Sequence, residues 1–260
     1  MKWPASITFM RHDVSSYNAL KESRRRDPDY VRFEALYEKP ELSATESREL
    51  ETLARLMHER HSLHRSDADT SLVDCQSPTA AKVGQKLKNL IKLPDAIFVS
   101  PYKRTRHTFA GLVRGWPKLG DVKAYEDERL REQEHGLAIL YNDWRVFNVL
   151  HPRQREFHEL EGSYWYRYPQ GENVPDVRER TRSWMTTIVR DWAGKHVLVV
   201  THHLCILAIR ANFERWGARK FQEVDEKEKP INCGITIYQG HPELGRNGKL
   251  VLKAYNLKLY

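Results

Sequence analysis

"SITFMRHDVSSYN" occupies residues 6–18. Its first five residues form a compact apolar run without polar alternation, the pattern of a strand covered on both faces. The run stops abruptly at Arg11 and His12, so a buried strand is expected to end there with two polar side chains at its carboxyl end. "DAIFVS" at 95–100 and "KHVLVVTH" at 195–202 have the same character. Helical rhythm lies between and after them. It appears in "TAAKVGQKLKNLI" (79–91), in "VPDVRERTRSWMTTIVRDW" (174–192) and in "CILAIRANFERW" (205–216). Strands alternating with helices predict a three-layer α/β/α domain. "CGITIYQG" (233–240) and "KLVLKAYNLKLY" (249–260) predict a hairpin or two neighbouring edge strands.

Between the first strand and residue 79 the chain is long and highly charged. "YVRFEALYEK" and "TESRELETLARLMHERHSLH" read as helices, and Ser43 followed by Glu46 matches a capping box. Residues 19–73 are therefore expected to be a helical insertion, too small and polar for a core of its own. Residues 137–173, rich in Tyr, Trp, His and Arg, read as a second insertion. The expectation is one domain over 1–260 carrying both.

The chain has 260 residues, enough for a sizeable core, and no apolar run long enough to span a bilayer. The N-terminal residues lack a secretory pattern, so the cytoplasm is the expected compartment and no membrane partner is expected. A formal charge of +8 favours anionic partners. Basic residues are dispersed among acids and no nucleic-acid module appears, so a small phosphorylated molecule is favoured over nucleic acid. Cys75, Cys205 and Cys233 form no CxxC pair and no disulfide framework.

Three strand ends carry the reactive residues: "MRHD", "SPYKRTRHT" (100–108) and "THHLC" (201–205). Ligands of open α/β sheets collect outside the carboxyl ends of strands. Arg11, His12, Arg104 and His202 could therefore converge. Guanidinium forks suit phosphoryl oxygens, and a neutral imidazole can act as a nucleophile. No P-loop, HExxH or clustered-cysteine metal pattern is present.

These segments resemble the histidine phosphatase superfamily, in the branch that includes cofactor-dependent phosphoglycerate mutases and related phosphatases. That family opens with Arg-His-Gly-Glu-Ser, then an aromatic residue and an asparagine. Here the segment reads Arg11, His12, Asp13, Val14, Ser15, Tyr17 and Asn18. The second signature matches Ser100, Arg104, Thr105 and Thr108. The acidic segment matches Leu130, Glu132 and Gly136. The last, a strand ending in His-Gly, is His202 and His203 here. Weaker echoes are Asp74, Thr79, Gly84 and Gln85, and "GEN" at 171–173 with Arg180. Glycine is replaced by Asp13 after His12 and by His203 after His202.

The resemblance implies a phosphoglycerate-mutase-like fold with the helical insertion after the first strand. It implies a phosphomonoesterase acting on a small phosphorylated metabolite through a phosphohistidine, with mutase-type transfer and a non-catalytic phospho-ligand binding or scaffold homologue as alternatives. His12 would be the nucleophile and Glu132 the acid, with Arg11, Arg104 and His202 on the phosphoryl oxygens. Ser15, Tyr17, Asn18, Thr105 and His203 would contact substrate. No metal and no cofactor are implied. A homodimer is compatible with this architecture.

Rivals exist at several positions. Arg106 competes with Arg104, Glu128 and Glu134 with Glu132, and His203 with His202. Asp13 either faces the pocket, weakening anion binding, or points outward and caps the following helix; the outward pose is expected. His58, His61 and His64 share a helical spacing that could hold a metal, but a solvated helix end is the simpler reading. Lys21, Arg24, Arg25 and Arg26 read as an exposed helix surface. "YWYRY" (164–168) is either a stacking platform or packing.

Overall fold

The computed structural model describes residues 2–63 and 65–260. In chain order the elements are β1 (Ser6–Arg11), α1 (Ser16–Arg24), α2 (Pro28–Tyr37), α3 (Ala44–His61), α4 (Pro78–Leu87), β2 (Ala96–Val99) and α5 (Lys103–Gly115). There follow β3 (Ala124–Glu126), α6 (Trp144–Leu150), α7 (Pro152–Trp165), α8 (Val174–Asp191), β4 (His196–Thr201), α9 (His203–Glu214), α10 (Ala218–Lys227), β5 (Ile235–His241) and β6 (Lys249–Leu257). They form two compact units. The first combines residues up to Ser15 with Ala68–Gln133 and Val174–Tyr260; the second combines Ser16–Asp67 with Glu134–Asn173. The stretches read as insertions, 19–73 and 137–173, overlap the two segments of the second unit.

The first unit is built on a six-stranded sheet in the order β3-β2-β4-β1-β5-β6. β3, β2, β4 and β1 run parallel, whereas β5 lies antiparallel to β1 and to β6. The last two strands thus form the hairpin expected from their sequence. β1, β2 and β4 lack polar alternation because both their faces are covered. Ile7, Phe9, Ala96, Phe98, Val197 and Val199 face α8 and α9, meeting Trp184, Ile188, Cys205 and Ile209. Met10, Ile97, Val99, Leu198 and Val200 face α4 and α5, meeting Ala80, Val83, Leu87 and Leu112. The three-layer α/β/α arrangement is therefore the fold of this unit.

Trp184 is the largest fully buried side chain, and its ring meets Phe9 at 6.2 Å and Phe98 at 5.9 Å, edge to face. Such pairs contribute about 0.5–1.5 kcal/mol each beyond the area they bury. On the opposite face α4 and α5 approach until backbones nearly touch. A Cβ on Gly84 would lie 3.1 Å from the Cα of Gly115, which explains the glycine at 84.

In the second unit, Tyr30, Phe33 and Leu36 of α2 pack on Leu50, Ala54 and Met57 of α3 and on Val146 of α6. The first insertion supplies six of the seven buried residues of this cluster and the second supplies Val146, so the core is shared between the two. Ser43 and Glu46 make both halves of the capping box that starts α3. Arg24 is not an exposed charge of a basic run: it is buried, 3.5 Å from buried Asp143, and its Nη1 donates to the Asn142 carbonyl at 2.7 Å. Tyr30 donates its hydroxyl to Asp143 at 2.6 Å. Tyr164 and Tyr166 are buried, so the 164–168 stretch is mainly packing, although Trp165 stays exposed.

His58 packs its ring on Tyr141, centroids 4.5 Å apart, and His61 bonds to Asp27 at 3.1 Å; His64 lies outside the described residues. Among the described residues no group of His, Cys, Asp and Glu is arranged for a metal ion, and no helix is long and apolar enough to cross a membrane. All three cysteines are free thiols.

Candidate active site

Register brings the strand ends together. Arg11 pairs with Thr201 across β1 and β4, and Val99 with Val200 across β2 and β4. The residues just beyond these ends, His12, Ser100 and His202, therefore share one rim of the sheet. His12 is anchored by its own backbone, whose N–H donates to the Thr201 carbonyl at 3.0 Å. Its Nδ1 lies 2.7 Å from the Asp13 carbonyl. A carbonyl only accepts, so Nδ1 carries the proton and Nε2 keeps its lone pair.

The His202 ring stands 5.2 Å from the His12 ring, and its Nε2 is 2.7 Å from the Ser100 hydroxyl. Its Nδ1 is buried, as is Nε of Arg11, and neither has a partner among the described residues. Buried polar atoms are nearly always satisfied, so two orphans beside one imidazole mark a place for a polar ligand. Burial, followed by the charges of Arg104 and Arg11, holds His12 well below the ordinary imidazole range. Burial followed by Arg104 does the same to His202. Both rings are thus neutral near pH 7, as a nitrogen nucleophile requires.

Arg104 sits in the first turn of α5, buried, with its guanidinium 4.8 Å over the Tyr102 ring. Its rival Arg106 is exposed and paired with Glu126 at 2.7 Å. Arg11 donates from Nη1 to the Pro230 carbonyl at 2.6 Å. Burial pulls the Arg11 guanidinium down, and Glu132 opposes that shift.

Glu132 follows a short 3-10 turn, Glu128–Leu130. Its Oε1 accepts the backbone N–H of Leu204, in the first turn of α9, at 3.1 Å. Arg180 of α8 fixes the segment by donating to the carbonyls of Arg129 and Arg131, both at 2.8 Å, and of Glu132 at 3.0 Å. Thr201 adds a bond from its hydroxyl to the Leu130 carbonyl at 2.6 Å. Of Glu132's rivals, Glu128 lies within the turn itself and Glu134 belongs to the second unit.

The residues expected to touch substrate fall on several elements. Thr105 directs its hydroxyl to the carbonyls of Ser100 (2.8 Å) and Tyr102 (2.6 Å), closing the start of α5. His203 opens α9 and holds Asp225 of α10 at 2.5 Å. Ser15 is buried and forms a β-bridge with Leu72. Tyr17 and Asn18 lie on α1, in the second unit, and burial pushes the Tyr17 hydroxyl up.

Asp13 is buried, and the bonds of its carboxylate run to Val14 and Ser77 rather than to α1 as a helix cap. Oδ1 accepts the N–H of Val14 at 2.8 Å and Oδ2 the hydroxyl of Ser77 at 2.7 Å. The buried Cys233 thiol lies near this carboxylate, whose charge adds to burial in pushing the thiol up. The reading of the sequence missed Ser77, Asn232 and Cys233. "INCG" before the strand "ITIY" was the available signal, because Asn and Gly at a strand boundary mark a special turn.

At the carboxyl ends of the parallel strands the fold thus sets a neutral His12 imidazole near His202, with Arg11 and buried Arg104 supplying positive charge to both rings. A sequence profile of the histidine phosphatase superfamily (branch 1) matches residues 51–248, and the chain belongs to that superfamily. "Phosphoglycerate mutase-like protein AT74H" of Arabidopsis thaliana is 25% identical over 190 residues, covering 65% of this chain and 63% of that protein. "Phosphoglycerate mutase-like protein AT74" of the same plant is 25% identical over 207 residues, covering 73% and 61%. The chain thus spans about three fifths of the length of these relatives. Among solved structures, a mycobacterial glucosyl-3-phosphoglycerate phosphatase in complex with inorganic phosphate superposes with a TM-score of 0.63 at 17% identity, covering 98% of both chains. YhfR of Bacillus stearothermophilus superposes with a TM-score of 0.62 at 18% identity, covering 98% of this chain and 99% of that one. These likenesses establish a shared fold.

Proposed function

We propose that this chain is a phosphomonoester hydrolase that acts through a phosphohistidine on a small phosphorylated metabolite. One observation carries the reading: the Asp13 carbonyl holds the His12 Nδ1–H and so leaves the lone pair on Nε2, on a strand-end rim shared with Arg11 Nε and His202 Nδ1, which are buried without a partner among the described residues. Inorganic phosphate bound to the mycobacterial relative, and that relative's name, support the same class of substrate.

In the first step Nε2 of His12 forms a bond to phosphorus while the ester P–O bond breaks. The electron pair goes to the leaving oxygen, which takes its proton from Glu132. In the second step water gives a proton to the Glu132 carboxylate and bonds to phosphorus, and the P–N electron pair returns to Nε2. Arg11, Arg104 and His202 hold the phosphoryl oxygens throughout, stabilising charge in a site already shaped for it. Mutase-type transfer differs only in the acceptor of the second step, an alcohol in place of water.

The test is rapid-quench turnover on a panel of phosphomonoesters, comparing the native chain with His12→Ala. Acid-labile phosphate on the native chain, absent from the variant and followed by free phosphate, is the expected result. Phosphate binding without phosphoenzyme or turnover on any panel member would leave a phospho-ligand binding protein instead.

A further inference from the structure

The residue after the nucleophile is an aspartate where the resembled family has glycine, and its surroundings are unusually constrained. Asp13 and Val14 share one peptide group, and both ends of that group are held. Its carbonyl accepts from His12 Nδ1 at 2.7 Å and from Asn232 Nδ2 at 3.2 Å. Its N–H donates to the Asp13 carboxylate itself at 2.8 Å. The other carboxylate oxygen takes the Ser77 hydroxyl, and the buried Cys233 thiol lies near the same carboxylate, whose charge adds to burial in pushing the thiol up. The preceding peptide is pinned too. The Asp13 N–H donates to the Thr108 hydroxyl at 2.9 Å, and Asn232 Nδ2 also reaches the His12 carbonyl at 2.9 Å.

Two of these partners sit in a conformation that favours glycine. Ser77 has φ 44° and Cys233 φ 56°, and both are fully buried. Side-chain-bearing residues keep such backbone only where the surroundings over-determine it. Here the shared element is the Asp13 carboxylate. Cys233 also donates its N–H to the Arg11 carbonyl at 3.1 Å, so the same loop supports both residues of the Arg-His pair.

We propose that the Asp13 side chain is a positioning residue for the nucleophile. Bonded to Ser77 and close to Cys233, it locks the 13–14 peptide so that the Asp13 carbonyl holds Nδ1–H and the lone pair of His12 stays on Nε2. The inference rests on the reading of His12 as nucleophile. With glycine at 13, the Val14 N–H loses its acceptor and the peptide is held from its carbonyl end alone. The rest of the clamp has then been built around a group that is gone.

The test is the tautomer of His12, read from ¹⁵N shifts of imidazole-labelled protein near pH 7, together with the rate of phosphoenzyme formation. In the native chain His12 should be the Nδ1–H tautomer alone. Asp13→Gly and Cys233→Ala should show Nε2–H signal and slow phosphoenzyme formation at least about tenfold, since a misplaced imidazole proton disables attack. Affinity for inorganic phosphate should change less than about twofold, a split between positioning and binding. Cys233→Ser, which keeps a donor, should recover most of the loss seen in Cys233→Ala. A single Nδ1–H tautomer and a native rate in both Asp13→Gly and Cys233→Ala would overturn the proposal, leaving Asp13 as support for the fold. If the native chain forms no phosphohistidine but Asp13→Gly still scrambles the tautomer, the nucleophile reading fails and the clamp stands.

Discussion

Replacing Arg180 with methionine should damage both stability and proton transfer. Arg180 spans α8 and the Glu132 segment through bonds of 2.8, 2.8 and 3.0 Å to three consecutive-region carbonyls, those of Arg129, Arg131 and Glu132. Hydrogen bonds from a charged donor contribute about 1.5–3 kcal/mol each when fully desolvated. The site is only partly buried, so water will replace a share of each bond. About 1 kcal/mol per bond is a fair net figure, giving roughly 3 kcal/mol in all. For a chain of this size that lowers the melting midpoint by about 6–12 °C.

The second effect is chemical. Once the segment loosens, Glu132 loses its place against the Leu204 N–H at the start of α9. General acid catalysis supplies about 10²–10⁴-fold, so even partial misplacement should slow an alkyl phosphate by tenfold or more. An aryl phosphate, whose leaving group needs little protonation, should lose far less. Arg180→Lys, keeping one donor group, should fall between. The assay is differential scanning calorimetry beside initial rates on the two esters. A methionine variant that melts within about 2 °C of the native protein would refute the energetic reasoning. Equal losses on both esters would refute the acid role of Glu132.

Two further outcomes follow from the same geometry. Arg24→Met strips the partner from a buried carboxylate, Asp143, and should cost about 3 kcal/mol, the low end for a broken buried pair because Tyr30 and the Arg145 N–H still serve Asp143; urea unfolding checks it, and a loss under 1 kcal/mol would mean that Asp143 is satisfied without Arg24. His12 and His202 are both held below the ordinary imidazole value, so below about pH 6.5 the unfolded chain binds protons that the folded chain refuses, and stability should fall as pH drops through that range. Urea midpoints at pH 7.5 and 5.5 measure this, and a His12→Asn, His202→Asn double variant with an undiminished pH slope would place its origin elsewhere.

The central fold is legible in the sequence wherever burial on both faces produces an uninterrupted apolar run, as in β1, β2 and β4. β3 is not legible because its three residues are half-buried or exposed and carry no run. The Arg11–His12 pair is legible because two adjacent polar residues interrupt a buried strand. The resemblance prefers Arg104 to Arg106 by its place in the second signature, and in space one is buried over Tyr102 while the other faces water with Glu126. The Asp13 clamp is invisible locally. Its partners, Ser77 and Cys233, lie far along the chain, and neither residue type advertises a left-handed backbone. The core of the second unit is hard to read for a related reason, since Val146 joins it from a separate segment.

That split core also bears on synthesis. Tyr30, Phe33 and Leu36 are made early, yet Val146, which packs on them, follows more than a hundred residues later. At about 5–20 residues per second, the apolar faces of α2 and α3 wait on the order of ten seconds for their third helix. Loop closure across so long an intervening stretch also makes this packing a slow, non-local step. The nascent chain therefore passes through a period in which its helical half is made but uncovered, and it is in this window, ahead of any step at the sheet, that holdase chaperones would matter most to its yield.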